Sequence, residues 1–388
     1  MKIIYPVNKR FAIQRAHDVL VIKTCHALAS AGHEVTLIMG KTCPVEKLLS
    51  HYGLKPVQNL KIVQLPILRK KSGLGVSWHF IFNFFCLKAI KDILKKEKPD
   101  FLYLSELKMA QFLLKKKSEI DMPCVYEVHG LYASYPSDEN YPRANEKEGN
   151  VFNGVNGIIT TTEGIKNIIR ETYGIKKEAQ VVPLAADSAF PLGEKTGGKF
   201  KIYYIGQLYY EQGVDFLLNA ALKLENAEFH VIGGKPGEVS EFKDKARNNK
   251  LEDKIFFHGF IKPSKIDQTV KDADCFIIPS RSTGKMGYVA HTKSYEYLRY
   301  GKPIIAFDLL SIKEVLCNGD NAVLVSKNDP EALAEGIRKV MTDRGLYDKL
   351  SQNALKTSKE HTWEMRAEKL EKAFNQILET KKNGNVCK

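Results

Sequence analysis

The stretch HTKSYEYLRYGKPIIAFD, residues 291–308, decides the fold. Thr292 carries a hydroxyl that can accept an orphan N–H of a first helical turn, so it is predicted as an N-cap. Tyr295 and Leu298 follow at helical spacing. Gly301 can take the left-handed conformation that ends a helix, and Pro303 cannot continue one. Ile304-Ile305-Ala306-Phe307 is then an apolar run without alternation, suited to a strand covered on both faces. The segment therefore reads as a short helix feeding a buried strand. Lys293 and Glu296 are expected in the first turn of that helix, where free N–H groups attract anions. Taken alone, Glu296 there is no more than a favourable charge–dipole placement on a solvated helix.

The alternation extends in both directions. Toward the N-terminus, strands are predicted at 2–7, 34–39, 61–65, 100–105, 124–129, 157–161 and 181–183, with helices at 15–31 and 78–96 among those between them. A linker by composition, PLGEKTGGK (191–199), interrupts the pattern. It restarts with strands at 201–205, 228–232, 255–257, 275–279, 303–307 and 322–325, and helices at 214–224, 239–250 and 263–272. Trp363, Ala367, Leu370, Phe374 and Leu378 then form an apolar stripe at three- and four-residue spacing, read as packing surface. The expected fold class is α/β, with two Rossmann-like doubly wound domains. The expected division is 1–192, 193–360, and a C-terminal helix and tail, 361–388, packing back toward the first domain. Two such domains in series leave a cleft at the carboxyl ends of their strands, where ligands of these folds bind.

Composition bounds the function. The chain has 388 residues, 44% apolar and 27% charged, the profile of a soluble globular protein. No apolar run reaches the roughly 18 residues that a spanning helix needs. No signal-peptide core precedes the first strand, so a cytoplasmic location is expected. Seven cysteines show no CxxC and no metal-ligand spacing. They read as reduced core thiols plus an exposed tail cysteine, Cys387. The formal net charge of +14 favours an anionic partner such as phosphorylated small molecules or anionic lipid headgroups. Nucleic acid is disfavoured, because no aromatic–basic signature of a nucleic-acid module appears.

The second half resembles the donor domain of glycosyltransferase family 4, retaining nucleotide-sugar enzymes of the GT-B fold. YYIGQLYYEQGVDFLLNAALKL, FHVIGGKPG, IFFHGFI and DADCFIIPSRS occur in the family's order, before KSYEYLRYGKPIIAFD. The first half is similar to the family's acceptor domain through RAHDVLVIKTCHALASAGHEVTLI and GIITTTEGIKNIIRETYGIKKEAQVVPLAAD. The resemblance implies that the Glu296 carboxylate accepts hydrogen bonds from the donor ribose diol, which suits its two oxygens. It implies that the helix start at His291, Thr292 and Lys293 faces the diphosphate, with Lys293 adding a charge-assisted contact. His129, in YEVHG, matches a histidine facing the donor sugar, so His129 and Glu296 are the catalytic candidates. Gly206 allows close backbone approach to phosphates, and Phe260 and Ile261 lie where such enzymes hold the base. Arg15 and His17 are candidate acceptor-side contacts, in a loop without the glycines usual there.

This chain departs from the family at three positions. Gln207 and Gln212 stand where the family places an arginine and a lysine on the diphosphate. Arg281, Lys285 and Lys293 are the cations near enough in sequence to compensate. The earlier glutamate of the family falls at Tyr288. Asp272-Ala273-Asp274 is a DxD, but it closes a helix and opens a buried strand, and no metal site is expected.

The resulting expectation is a metal-independent retaining transferase, with no cofactor beyond a nucleoside-diphosphate sugar as co-substrate and a glycan or lipid-linked acceptor. The rivals are a sugar-nucleotide epimerase of the same fold and a catalytically silent carbohydrate-binding protein. Basic residues 69–71, 88, 91, 95, 96 and 115–117 near the aromatic run WHFIFNFF (78–85) predict weak association with an anionic membrane surface.

Overall fold

The computed structural model describes residues 1–11, 16–67, 78–133, 141–193 and 197–384. The chain divides into two compact units, Met1–Pro183 with Trp363–Lys388, and Leu184–Thr362.

The first unit is built on β1 (Lys2–Pro6), β2 (Glu34–Gly40), β3 (Leu60–Leu65), β4 (Phe101–Leu104), β5 (Cys124–Val128), β6 (Gly157–Thr160) and β7 (Ala179–Val181). They run β3-β2-β1-β4-β5-β6-β7, and every pairing is parallel. The second unit is built on β8 (Phe200–Ile205), β9 (Ala227–Ile232), β10 (Ile255–Gly259), β11 (Cys275–Ile278), β12 (Ile304–Phe307) and β13 (Val323–Val325). Their order is β10-β9-β8-β11-β12-β13, again all parallel. The central strands are buried at every residue, as FLYL in β4, CFII in β11 and IIAF in β12. A strand covered on both faces has no use for polar alternation, which is why these runs are legible. In each sheet the chain reverses direction of winding between two neighbouring strands, β1/β4 and β8/β11. Such switch points open a crevice at the carboxyl ends of the strands.

The helix Trp363–Gly384 belongs to the first unit. Ala367, Leu370 and Phe374 are fully buried in its core, and Trp363 and Leu378 pack against that core. The Phe374 ring lies 4.7 Å from Phe101 and 5.0 Å from Tyr103, so this helix covers β4.

Several details differ from the sequence expectation. The units divide at 183/184, not at 192/193. Phe190 and Leu192 donate backbone hydrogen bonds to the carbonyls of Arg299 (2.7 Å) and Tyr300 (3.0 Å), which ties 184–192 to the second unit. Cys25, Cys86, Cys124 and Cys275 are buried thiols, but Cys317 is exposed, because it lies in the turn before β13. Cys387 lies outside the described residues. The helix Trp78–Lys96 presents Phe84 at 60% exposure and buries Phe82. Lys91 (2.5 Å) and Lys116 (2.8 Å) both pair with Glu119, and Lys95 lies 4.0 Å from Asp92, so three of the expected surface charges have acidic partners. Residues 69–71 lie outside the described residues. Among the described residues, no helix is long and apolar enough to cross a membrane.

Candidate active site

In the second unit Gly206, Gln212 and Lys293 meet at the carboxyl end of β8. Gly206 follows that strand. A Cβ there would sit 2.6 Å from the Lys293 side chain and 2.7 Å from the Tyr204 hydroxyl, so only glycine lets the lysine lie across the strand end. Lys293 comes from the helix Thr292–Leu298. Its ammonium donates to the Gln212 carboxamide oxygen and lies 5.2 Å from the centre of the Tyr204 ring. Desolvation lowers its pKa to about 8, against the charge of Glu296, which raises it. The helix is pinned to the strand end through Tyr297, whose hydroxyl accepts from the Ile205 N–H (2.8 Å) and faces its carbonyl at 3.3 Å.

Gln212 is buried and bonded on both sides. It accepts from the Tyr204 hydroxyl (3.2 Å) and donates to the Tyr209 hydroxyl (2.9 Å). Gln207 is exposed, and its backbone carbonyl accepts from Tyr204 (2.6 Å). Arg281 does not reach toward Gly206. It stacks on Tyr210 and Phe216, donates to the Tyr210 carbonyl (3.0 Å), and pairs with Asp215. Of the two compensating cations whose side chains are described, therefore, Lys293 alone lies against Gly206; the side chain of Lys285 is outside the described residues. The DxD is spent on the fold. Asp272 accepts from Lys201 (2.5 Å) and Tyr203 (2.8 Å), and Asp274 from the Lys201 N–H (2.7 Å).

The helix start is one residue earlier than expected. His291 is the N-cap and Thr292 the first helical residue, which puts Glu296 in the second turn. The cap is made without a side-chain bond, because the His291 ring faces the Met286 carbonyl at 3.0 Å instead. Burial draws the His291 pKa down to about 4; the Met286 bond opposes this and the Lys293 charge adds to it. Glu296 is exposed, on the same helix as Lys293. Tyr288 is half-buried in the loop before the helix, and Phe260 (45% exposed) and Ile261 follow β10. Gly301, at φ +61°, ends the segment as predicted.

In the first unit His129 follows β5, with Glu127 two residues back on the same face. Glu127 is 1% exposed, and its carboxylate accepts from Tyr103 (2.6 Å), pairs with buried Arg366, and faces His129 Nε2 at 3.4 Å. Burial pushes the Glu127 pKa up, but Arg366 and His129 outweigh it and hold the carboxyl well below its usual range. His17 packs edge-on against His129, with ring centres 5.3 Å apart. Lys9, after β1, donates to His17 Nδ1 at 2.6 Å and pairs with Asp18 (3.3 Å) and Glu106 (3.5 Å). Desolvation, the neighbouring His129 and Lys9 together bring the His17 pKa to about 2, so its ring is neutral. Arg15 lies outside the described residues. Glu106, Lys9, Glu127 and Arg366 were not singled out in the sequence. The signal available was a lone charge in the otherwise apolar strand CVYEV and an arginine on the apolar stripe of the last helix.

Comparison with known proteins matches both halves. The model for Glycosyltransferase Family 4 covers residues 18–190, and that for glycosyl transferases group 1 covers 188–357. An uncharacterized glycosyltransferase of Methanocaldococcus jannaschii is 24% identical over 84% of this chain and 88% of its own length. A second from that organism is 25% identical over 59% of this chain and 60% of its own length, and the chain spans only 41% of a third. Among solved structures, sucrose-phosphate synthase from Thermosynechococcus elongatus superposes with a TM-score of 0.78 at 15% identity, covering 98% of this chain and 99% of that one. The Anabaena protein HepE in complex with UDP gives 0.74 at 14% identity, covering 97% and 100%. With its two parallel sheets and two consecutive family matches, the chain belongs to the family-4 glycosyltransferases and has the GT-B fold.

Proposed function

We propose that this chain moves a sugar, with retention and without a metal, from a nucleoside-diphosphate sugar to a glycan or lipid-linked acceptor. One observation carries the reading: Lys293 lies across Gly206 at the β8/β11 switch point, with Glu296 on the same short helix. A half-buried ammonium beside a bare glycine suits a diphosphate, which needs both close backbone approach and a charge-assisted donor. An exposed carboxylate suits a ribose diol. The leaving diphosphate gains charge as the glycosidic bond to it breaks. Lys293 and the backbone N–H groups after Gly206 would hold that charge. The acceptor side would include His17.

Because HepE was solved with UDP, uridine diphosphate is the first ligand to try. A thermal-shift series with nucleoside diphosphates tests the site, since a ligand raises stability according to its concentration over Kd. Transfer from the matching nucleotide sugar to an acceptor, rather than rearrangement of the donor, separates a transferase from an epimerase. Gln207 and Gln212 favour a second reading, a silent carbohydrate-binding protein, because both lack the cation that their places in the family carry. Slow hydrolysis of a bound donor by the purified protein would dismiss it.

A further inference from the structure

A nucleoside-diphosphate sugar carries its diphosphate between nucleoside and sugar, so the two ends leave a central phosphate site on opposite sides. In the second unit Gly206 follows β8, in the middle of the order β10-β9-β8-β11-β12-β13. With the base held at Phe260 and Ile261, after β10, the sugar would lie on the other side, at the ends of β11 and β12.

That side is apolar. Residues 286–290 lead into the helix Thr292–Leu298 and read Met-Gly-Tyr-Val-Ala, with no charge and a single hydroxyl. Met286 is buried, whereas Tyr288, Val289 and Ala290 are half-buried and reach the surface in part. A Cβ at Gly287 would meet no heavy atom within 4 Å, so open space lies beside this loop. After β12 the helical turn Leu310–Lys313 begins with Leu310, which is 75% exposed, the highest value for a large apolar side chain among the described residues.

The two segments are fastened together. The Met286 carbonyl accepts from Ser311 Oγ at 3.0 Å and faces His291 Nε2 at 3.0 Å. One carbonyl thus ties the residue after Leu310 to the cap of the helix that carries Lys293. Leu309 is buried beside it, and the carboxylate of Asp308 pairs with Lys313 at 2.9 Å. A leucine scattered on a surface needs no explanation. One held beside a charge-free loop, at the carboxyl ends of a doubly wound sheet, can wall a ligand site.

We propose that Tyr288, Val289, Ala290 and Leu310 form an apolar wall that selects a donor sugar bearing a methyl group, as acetamido and 6-deoxy sugars do. This donor class rests on the transferase reading. A sugar hydroxyl set against such a wall gives up hydrogen bonds to water and finds almost no side-chain partner. A methyl group gives up none and leaves water on contact.

Calorimetry tests the wall without any acceptor. Glucose and galactose donors, built on whichever nucleoside diphosphate the protein binds, are each compared with their 2-acetamido and 6-deoxy forms. One methyl-bearing form is expected to bind roughly 10-fold or more tightly than its parent, and which one it is distinguishes the acetamido from the 6-deoxy class. Leu310→Ser, at an exposed position that the fold does not need, should bring that ratio back toward one. The nucleoside diphosphate alone should bind this variant as before. A second variant, Tyr288→Ser, checks the loop side of the wall in the same way. Parent donors that bind as well as both modified forms, or a preference that both variants leave unchanged, would overturn the inference and leave the transferase reading standing. A protein that binds no nucleoside diphosphate would overturn both.

Discussion

Lys293 donates to Gln212, the residue that stands where the family places a lysine on the diphosphate. Among the described residues, the half-buried ammonium is thus held by a neutral carboxamide and an aromatic face, with no ion pair to a carboxylate. A neutral holder keeps its charge available to an incoming anion. Lys293→Met should therefore weaken nucleoside-diphosphate binding by about 1.5–3 kcal/mol, roughly 10- to 100-fold in Kd. Calorimetry that finds equal affinity would remove Lys293 from the phosphate site.

Glu296→Gln should leave the fold intact, since Glu296 is exposed, and weaken the donor by about 1.5–3 kcal/mol through loss of a charged acceptor. The loss should be smaller for a 2′,3′-dideoxy nucleotide. The same loss for both nucleotides would show that Glu296 does not read the ribose.

Transfer should persist in excess EDTA. Asp272 and Asp274 are already taken by Lys201 and Tyr203. Activity abolished by EDTA and restored by added Mg²⁺ or Mn²⁺ would return the two aspartates to the mechanism.

Stability should fall on mild acidification. Burial draws His230 to about 4, with His258 at 3.0 Å and Lys201 adding to the effect, and it draws His291 to about 4 and His17 to about 2. Below 6.5 the unfolded chain takes up protons that these folded rings refuse, so stability rises with pH from about 4 to 6.5 and is lost as pH falls through that window. Glu127, depressed when folded, contributes in the same direction at lower pH. Thermal unfolding between about pH 4.5 and 7.5 measures the slope, and His230→Phe should flatten it. A melting temperature independent of pH in this range would contradict the burial argument.

Vesicle co-sedimentation should show weak binding to anionic but not neutral vesicles, lost at high salt, because each charge near such a surface adds only about 1 kcal/mol. Phe84→Ser should reduce it. Absence of binding at low salt would leave a soluble acceptor.

The central strands were legible because they are apolar on both faces, and IIAF at 304–307 could be read without any neighbour. The helix that carries Lys293 and Glu296 was legible because one contiguous segment, 291–301, holds the cation, the carboxylate and the helix stop. The cap was misplaced by one residue because Thr292 and His291 are both capable, and only the Met286 carbonyl decides which side chain is engaged elsewhere. The first-unit network was not legible as a network. Lys9 and Glu106 are nearly a hundred residues apart, and Glu127 and Arg366 are separated by 239. Such convergence is a property of the sheet order, which the sequence pattern leaves open.

The helix Trp363–Gly384 places core residues of the first unit after the whole of the second in the chain. Domains emerging from a ribosome ordinarily fold in the order of synthesis. Here the order is inverted. The second unit has all its strands once residue 325 has been made, while β4 still lacks the Phe374 ring that covers it and Glu127 still lacks its counter-charge. A nascent chain paused at residue 362 would carry one finished domain and one bearing an open apolar seam with a buried, unpaired carboxylate. It would be the early half of the protein, not the late half, that calls on a chaperone.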